Sequence, residues 1–195
     1  MAVLVVGLGN PGPEYAETRH NVGQAVVGEL LRRSGATLKS HKGVARAVSV
    51  RFAVPGTDRE VLAVLAILTS YMNLSGGPVA SLARYHKVAP EDVIVIHDDI
   101  DLPFGAVRLK RGGGEGGHNG LKDVTRALTT PEYVRVRIGV GRPPGRMEAS
   151  DYVLRPFSTA ERKGVPMLVD VAADAVEAIV TEGLESAQQR FHTAG

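Results

Sequence analysis

Asn10, His20, Asn73, Asp98 and Asn119 are the side chains in this sequence whose types could do chemistry together. Asn10 follows the apolar run at residues 3–6. His97 and Asp98 close the run at residues 93–96, and Asn73 and Asn119 stand near the starts of helical stretches. If those runs are strands of an open α/β sheet, these residues can meet outside the carboxyl ends of strands, where such sheets bind ligands. A histidine, with an unperturbed pKa of ~6.5, can take a proton from water at neutral pH. An aspartate on its other ring nitrogen fixes the tautomer and stabilises the imidazolium as it forms. An asparagine amide aimed at a developing oxyanion is worth about 3 kcal/mol. The chain has no cysteine and no G-x-S-x-G elbow, so covalent acyl transfer lacks an evident nucleophile. The set is equipment for hydrolysing an activated ester with a general-base water.

Other readings of the same residues stay open. Asn73 and Asn119 could be helix N-caps, a position that favours asparagine. His97, Asp98 and Asp101, with His20 and His118 available, could hold a divalent cation and make a metal-dependent phosphoesterase. His41, His86 and His192 read as surface or satisfied core histidines, and His118 as a loop residue without an assigned role. Gly7, Gly9 and Gly12 complete a G-x-G-x-x-G and suggest dinucleotide binding, which with the basic residues near Lys39 would make an NADP-binding oxidoreductase. Against dinucleotide binding, Pro11 and Pro13 stand where the helix should be winding, and no strand ending in Asp or Glu follows at the expected distance. The glycine-rich run at residues 112–117 lacks the Gly-Lys-Ser/Thr of a P-loop; its glycines permit tight backbone near a ligand.

The elements that must position these groups alternate between strand and helix. Val22, Val26, Leu30 and Leu31 recur at helical spacing up to Gly35. The β-rich runs 44–54 and 61–68, joined by a Pro-Gly turn, form a candidate antiparallel hairpin. The continuous apolar run 93–96 predicts a central strand buried on both faces. Strands are expected at 106–110, with Arg108 and Lys110 on one face, and at 134–140, with a helix carrying Leu121, Val124 and Leu128 between them. Residues 141–147 form a basic, proline-rich loop, mobile unless something binds it. Ser158 and Glu161 make a capping box for a long final helical region in which Pro166 implies a kink or a later start. The expected fold is α/β, a single domain over residues 1–195 with a central mixed sheet flanked by helices.

Composition narrows the class further. The longest apolar run has eight residues, far short of the ~20 that span a bilayer. No export signal is visible, and the absence of cysteine permits an intracellular, cytoplasmic setting. Net charge is only +2, but the excess of cations lies in the first three quarters of the chain and the excess of acids in the last. A basic body with an acidic final helix suits a polyanionic partner docking on one side. A non-catalytic RNA-binding module using the basic strand is therefore a further alternative.

Several motifs in order carry a resemblance to a known family. These are GLGNPG from Gly7 with Tyr15 and TRHN from Thr18, YMNLSG from Tyr71, HDDIDLP from His97, GGGEGGHNGLKD from Gly112 and RIGVGRP from Arg137. Together they span nearly the whole chain and resemble bacterial peptidyl-tRNA hydrolase. The resemblance implies a cofactor-free and metal-free esterase, a monomer, that releases peptides from the 3′ ribose of tRNA. By it His20 matches the catalytic base, Asp98 the carboxylate supporting it, and Asn10 the residue that distinguishes blocked from free aminoacyl groups. Tyr15, Tyr71, Asn73 and Asn119 match positions contacting the tRNA acceptor end or the peptide, with Met72 lining the cleft. Lys110 and Arg137 match the basic pair holding the tRNA 5′ phosphate, and Arg108 stands where the family often has lysine. Tyr71 follows Leu68-Thr69-Ser70 where the family commonly has a proline-containing run ending in phenylalanine.

Overall fold

The computed structural model describes residues 2–192. Apolar residues at residues 3–6 and 93–96 build the two central strands of a seven-stranded mixed sheet, β1 (Ala2–Gly7) and β5 (Val93–Asp99). β1 runs parallel to β5 on one side and to β4 (Glu60–Leu68) on the other. β3 (Ala45–Ala53) pairs antiparallel with β4 as the expected hairpin, and β2 (Lys39–His41) adds a short edge strand to it. Beyond β5 lie β7 (Val134–Gly139), parallel to it, and β6 (Val107–Arg111), antiparallel to β7, giving the order β2-β3-β4-β1-β5-β7-β6. The carboxyl ends of β4, β1, β5 and β7 therefore share one end of the sheet.

Alternation along the strands divides the core into two layers. On one face Val5, Ile94, Ile96, Leu109 and Val136 pack with Val22, Val26 and Leu30 of α1 (Val22–Ser34) and with Ala172, Ala175 and Val176 of α6 (Val165–Glu182). On the other, Leu4, Val6, Val64 and Val95 pack with Val79 and Leu82 of α2 (Gly76–Tyr85) and with Leu121 and Val124 of α3 (Asn119–Leu128). Two short helices, α4 (Ala149–Val153) and α5 (Thr159–Arg162), precede α6. The Ser158–Glu161 capping box starts α5, and Pro166 sits in the first turn of α6, where no backbone donor is needed. Pro166 thus marks a later start, not a kink.

The last helix, α7 (Leu184–His192), covers the exposed edge of β6. His192 Nε2 accepts from Leu109 N–H at 2.9 Å, and Gln188 Nε2 donates to Leu109 C=O at 3.0 Å. These side chains occupy backbone groups that an open edge would present to another chain.

The carboxyl ends of the central strands are approached very closely by α1. A Cβ on Gly7 would lie 2.3 Å from Gly23 O, and one on Gly23 would lie 2.2 Å from Ile96 O. Only glycine at both positions lets the first turn of α1 rest on β1 and β5. Gly23→Ala is expected to lower unfolding stability by about 2–3 kcal/mol through overpacking. Urea denaturation measures this, and an unchanged midpoint and slope would show that the contact is not tight.

Candidate active site

Three loops rise from the shared end of the sheet and bound a cleft of about 630 Å³. Asn10, Tyr15 and His20 follow β1, Tyr71, Met72 and Asn73 follow β4, and the chain from His97 to Asp101 ends β5. The glycine-rich loop 112–117, His118 and Asn119 form a further wall, Lys110 and Arg137 reach in from β6 and β7, and the buried Arg135 lies behind them. Ala149, Ser150, Val153 and Leu154, in or beside α4, complete the lining. All the candidate residues but one are brought together. Arg108 does not line the cleft; it lies in register beside Arg137 and donates to the carbonyl of Val107.

At the centre Asp98 is 2% exposed and faces two histidines. His20 Nδ1 lies 2.9 and 2.8 Å from the two carboxylate oxygens, and His118 Nε2 lies 2.9 Å from Oδ1. His118 Nδ1 accepts from the backbone N–H groups of Gly120 and Leu121 at 3.1 and 3.3 Å. An atom accepting two N–H bonds carries no proton, so the His118 proton is on Nε2 and points at Asp98. His118, not Asn119, is the N-cap of α3, and Ser75, not Asn73, is that of α2. An ionised Asp98 can only accept, so His20 donates to it from Nδ1 and leaves Nε2, which has no protein partner among the described residues, with a free lone pair. Burial of Asp98 opposes its ionisation, but the charges and hydrogen bonds of His20 and His118 outweigh it and hold the carboxyl well below the usual range.

The asparagines present donors on the same cleft. Asn10 Oδ1 accepts from Met72 N–H at 2.7 Å, and its backbone N–H and C=O are both bonded to the Asn21 side chain at 2.9 Å. The Asn10 Nδ2 group is therefore held in orientation and unspent. The side-chain amides of Asn73 and Asn119 make no hydrogen bond to protein among the described residues. Tyr15 and Tyr71 meet edge to face at the rim, ring centroids 6.4 Å apart, and Tyr71 is half exposed.

Cations gather on one side. Register places His97, Arg137 and Arg108 in one row and Arg135 and Lys110 in the next. Arg137 Nε is 2.8 Å from Asp99 Oδ2. Burial, with Arg137 and Arg135 nearby, pushes the Lys110 ammonium down.

His20, Asp98 and His118 also have the residue types and closeness of a cation site. Their atoms face one another as donors and acceptors. A histidine nitrogen carrying a proton toward a carboxylate has no lone pair for a metal, and the second nitrogen of His118 is used by α3. Asp101 meets Arg142 of the 141–147 loop instead of joining that cluster.

The sequence motif of the family described as Peptidyl-tRNA hydrolase matches residues 4–195. The chain belongs to the peptidyl-tRNA hydrolase family. Relatives named peptidyl-tRNA hydrolase include that of Arthrobacter sp. (strain FB24), 56% identical over 98% of this chain and 96% of its own. That of Nocardia farcinica is 58% identical over 97% and 95%. The crystal structure of peptidyl-tRNA hydrolase from Acinetobacter baumannii superposes with a TM-score of 0.85 at 37% identity, covering 97% of this chain and 94% of that one.

Three residues at or beside this site have roles that the sequence analysis does not assign. His118 looks like a loop histidine until its two nitrogens are seen on α3 and Asp98. Arg135 is fully buried, yet alternation predicts it only as a neighbour of Arg137. Arg19 is 4% exposed; its guanidinium bonds Tyr152 C=O and Glu161 and lies 3.8 Å over the Tyr152 ring, tying the His20 loop to α4 and α5.

Two outcomes follow from the buried centre. His118→Leu removes a donor to a charged acceptor and is expected to lower kcat by about tenfold or more with KM little changed; equal turnover in the variant would show that Asp98 does not need it. His97, fully buried and donating to Asp98 C=O, is pushed down to about 3 by burial and by the neighbouring His118. Its folded pKa lies below its unfolded one, so its contribution to stability is complete above about 6.5 and is lost as pH falls toward 3. Unfolding free energies from pH 7 to 4 should fall less steeply in His97→Gln than in wild type; parallel curves would contradict the assignment.

Proposed function

We propose that this chain hydrolyses the ester joining a peptide, or an N-blocked amino acid, to the 3′ ribose of tRNA. Family membership supplies the reaction class. The observation carrying the assignment of roles is a histidine tied through Nδ1 to a buried carboxylate, with its other nitrogen free in a cleft lined by unspent amides. His20 Nε2 takes a proton from water as that water attacks the ester carbonyl, and Asp98 supports the imidazolium formed. Asn10 Nδ2 and the amides of Asn73 and Asn119 bind the peptide carbonyls and the acceptor end. The proton on His20 then passes to the leaving ribose oxygen. Tyr15 and Tyr71 offer faces on which an unstacked base or a peptide side chain can lie, with Met72 as the floor between them. Lys110 and Arg137, with Arg108 beyond, hold RNA phosphate beside the glycine loop.

The Asn10 amide also gives a reason for sparing free aminoacyl-tRNA. An acylated nitrogen supplies a neutral amide to match the asparagines, whereas a protonated α-amine would sit poorly solvated among them.

N-acetylaminoacyl-tRNA turnover tests the reading. His20→Ala is expected to lower kcat by about 10²–10⁴ while tRNA affinity stays close to wild type, and cleavage by the wild type should persist in EDTA. Equal losses of turnover and affinity would remove His20 as the base, and cleavage lost to the chelator would restore the metal-dependent alternative.

A further inference from the structure

The glycine loop 112–117 is held from beneath by one buried cation. Arg135 is 0% exposed, and its guanidinium donates to Gly114 C=O at 2.5 Å, Gly113 C=O at 3.1 Å and Pro131 C=O at 3.2 Å. It has no carboxylate partner among the described residues, and its charge lies 4.5 Å over the Tyr133 ring. A peptide plane points its C=O and the following N–H in opposite directions. Turning the carbonyls of Gly113 and Gly114 down onto Arg135 therefore turns the N–H groups of Gly114 and Glu115 away from it. Residues 114–117 line the cleft, and among the described residues the backbone N–H groups of 113–117 donate to no protein acceptor. Successive outward N–H groups in a turn of this kind form a concavity for an anion. Lys110 completes it. A Cβ on Gly113 would lie 2.9 Å from Lys110 Nζ, so the ammonium sits directly beside the loop, while positive φ at Gly112, Gly113, Gly116 and Gly117 keeps the backbone bare.

We infer that Arg135 is a positioning residue that turns the glycine loop into a phosphate subsite. The N–H groups of Gly114 and Glu115, beside Lys110, receive the oxygens of an RNA phosphate. Arg135 contributes the shape of the loop and a buried positive charge beneath it, and does not touch the RNA. The inference extends the proposed reading, in which Lys110 and Arg137 meet RNA phosphate as side chains. Backbone donors add a contact that no side-chain substitution at those two positions removes. The Glu115 carboxylate stands in the same loop and opposes anion binding, so the subsite depends on the carbonyls being held down.

The test uses ¹⁵N-labelled full-length protein titrated with an unacylated acceptor-stem minihelix, prepared with and without its 5′ phosphate. The Gly114 and Glu115 amide protons should move downfield and saturate with the RNA. Movement only with the 5′-phosphorylated form identifies the terminal phosphate as the ligand, and movement with both identifies an internucleotide phosphate; either supports the subsite. Stationary Gly114 and Glu115 signals while signals around Lys110 shift would overturn it. In turnover of N-acetylaminoacyl-tRNA, Arg135→Lys and Arg135→Met should raise KM by about tenfold with kcat nearly unchanged, as the loss of charge-assisted contacts predicts. A fall in kcat at constant KM would instead make Arg135 part of the catalytic geometry. The titration needs neither a folded variant nor an ester, so inactivity of the wild type would undo the esterase reading and leave the subsite standing.

Discussion

A single buried carboxylate joins the two halves of this molecule. Asp98 ends the central strand at a point where the layers on either face of the sheet both reach over its edge. His20 comes from the approach to α1 and His118 from the start of α3, and both bond the same group. Unpaired, an ionised carboxylate this deeply buried would cost several kcal/mol. Two histidine N–H donors satisfy it without placing a permanent cation beside it. The need to satisfy Asp98 thus fixes the tautomer of His20 as well as its position, and the free lone pair on Nε2 is a consequence.

That arrangement requires the surrounding backbone to be rigid in particular places. The segment before α1 is clamped on three sides. Gly23 rests on Ile96 O, Asn21 bonds both backbone groups of Asn10, and Arg19 reaches across to Tyr152 and Glu161. His20 sits between Arg19 and Asn21 and inherits their immobility. The opposite wall is built differently, from a glycine loop whose shape comes from a buried arginine. The cleft therefore combines an amide held in orientation, that of Asn10, with cations gathered at the ends of β6 and β7.

Most of this frame could be read along the chain because it is local. The central strands are continuous apolar runs, the β3–β4 hairpin is announced by its Pro-Gly turn, and the asparagines lie next to segment ends. What could not be read depends on contacts between distant segments. A histidine capping α3 through one nitrogen and binding Asp98 through the other looks identical, in sequence, to any loop histidine. Arg135 and Arg137 alternate in step, and nothing in their spacing says that one is entirely buried on carbonyls and the other open on the cleft. Asparagine is favoured at N-caps, and that preference pointed to Asn73 and Asn119. Ser75 and His118 hold those positions, which leaves the two amides unspent.

The economy of the chemical equipment is itself informative. An ester expels an alkoxide far more readily than an amide expels an amine, so a water with one general base and a few amide donors can suffice. General-base assistance contributes about 10²–10⁴ and each oriented oxyanion donor about 10²–10³. Amide hydrolysis must in addition protonate a much poorer amine leaving group as the bond breaks. Here His118 has both ring nitrogens engaged, on Asp98 and on the start of α3, and the chain has no thiol. A site limited in this way can cut the activated bond between peptide and tRNA while leaving the peptide bonds beside it intact, so its chemical modesty is part of its specificity.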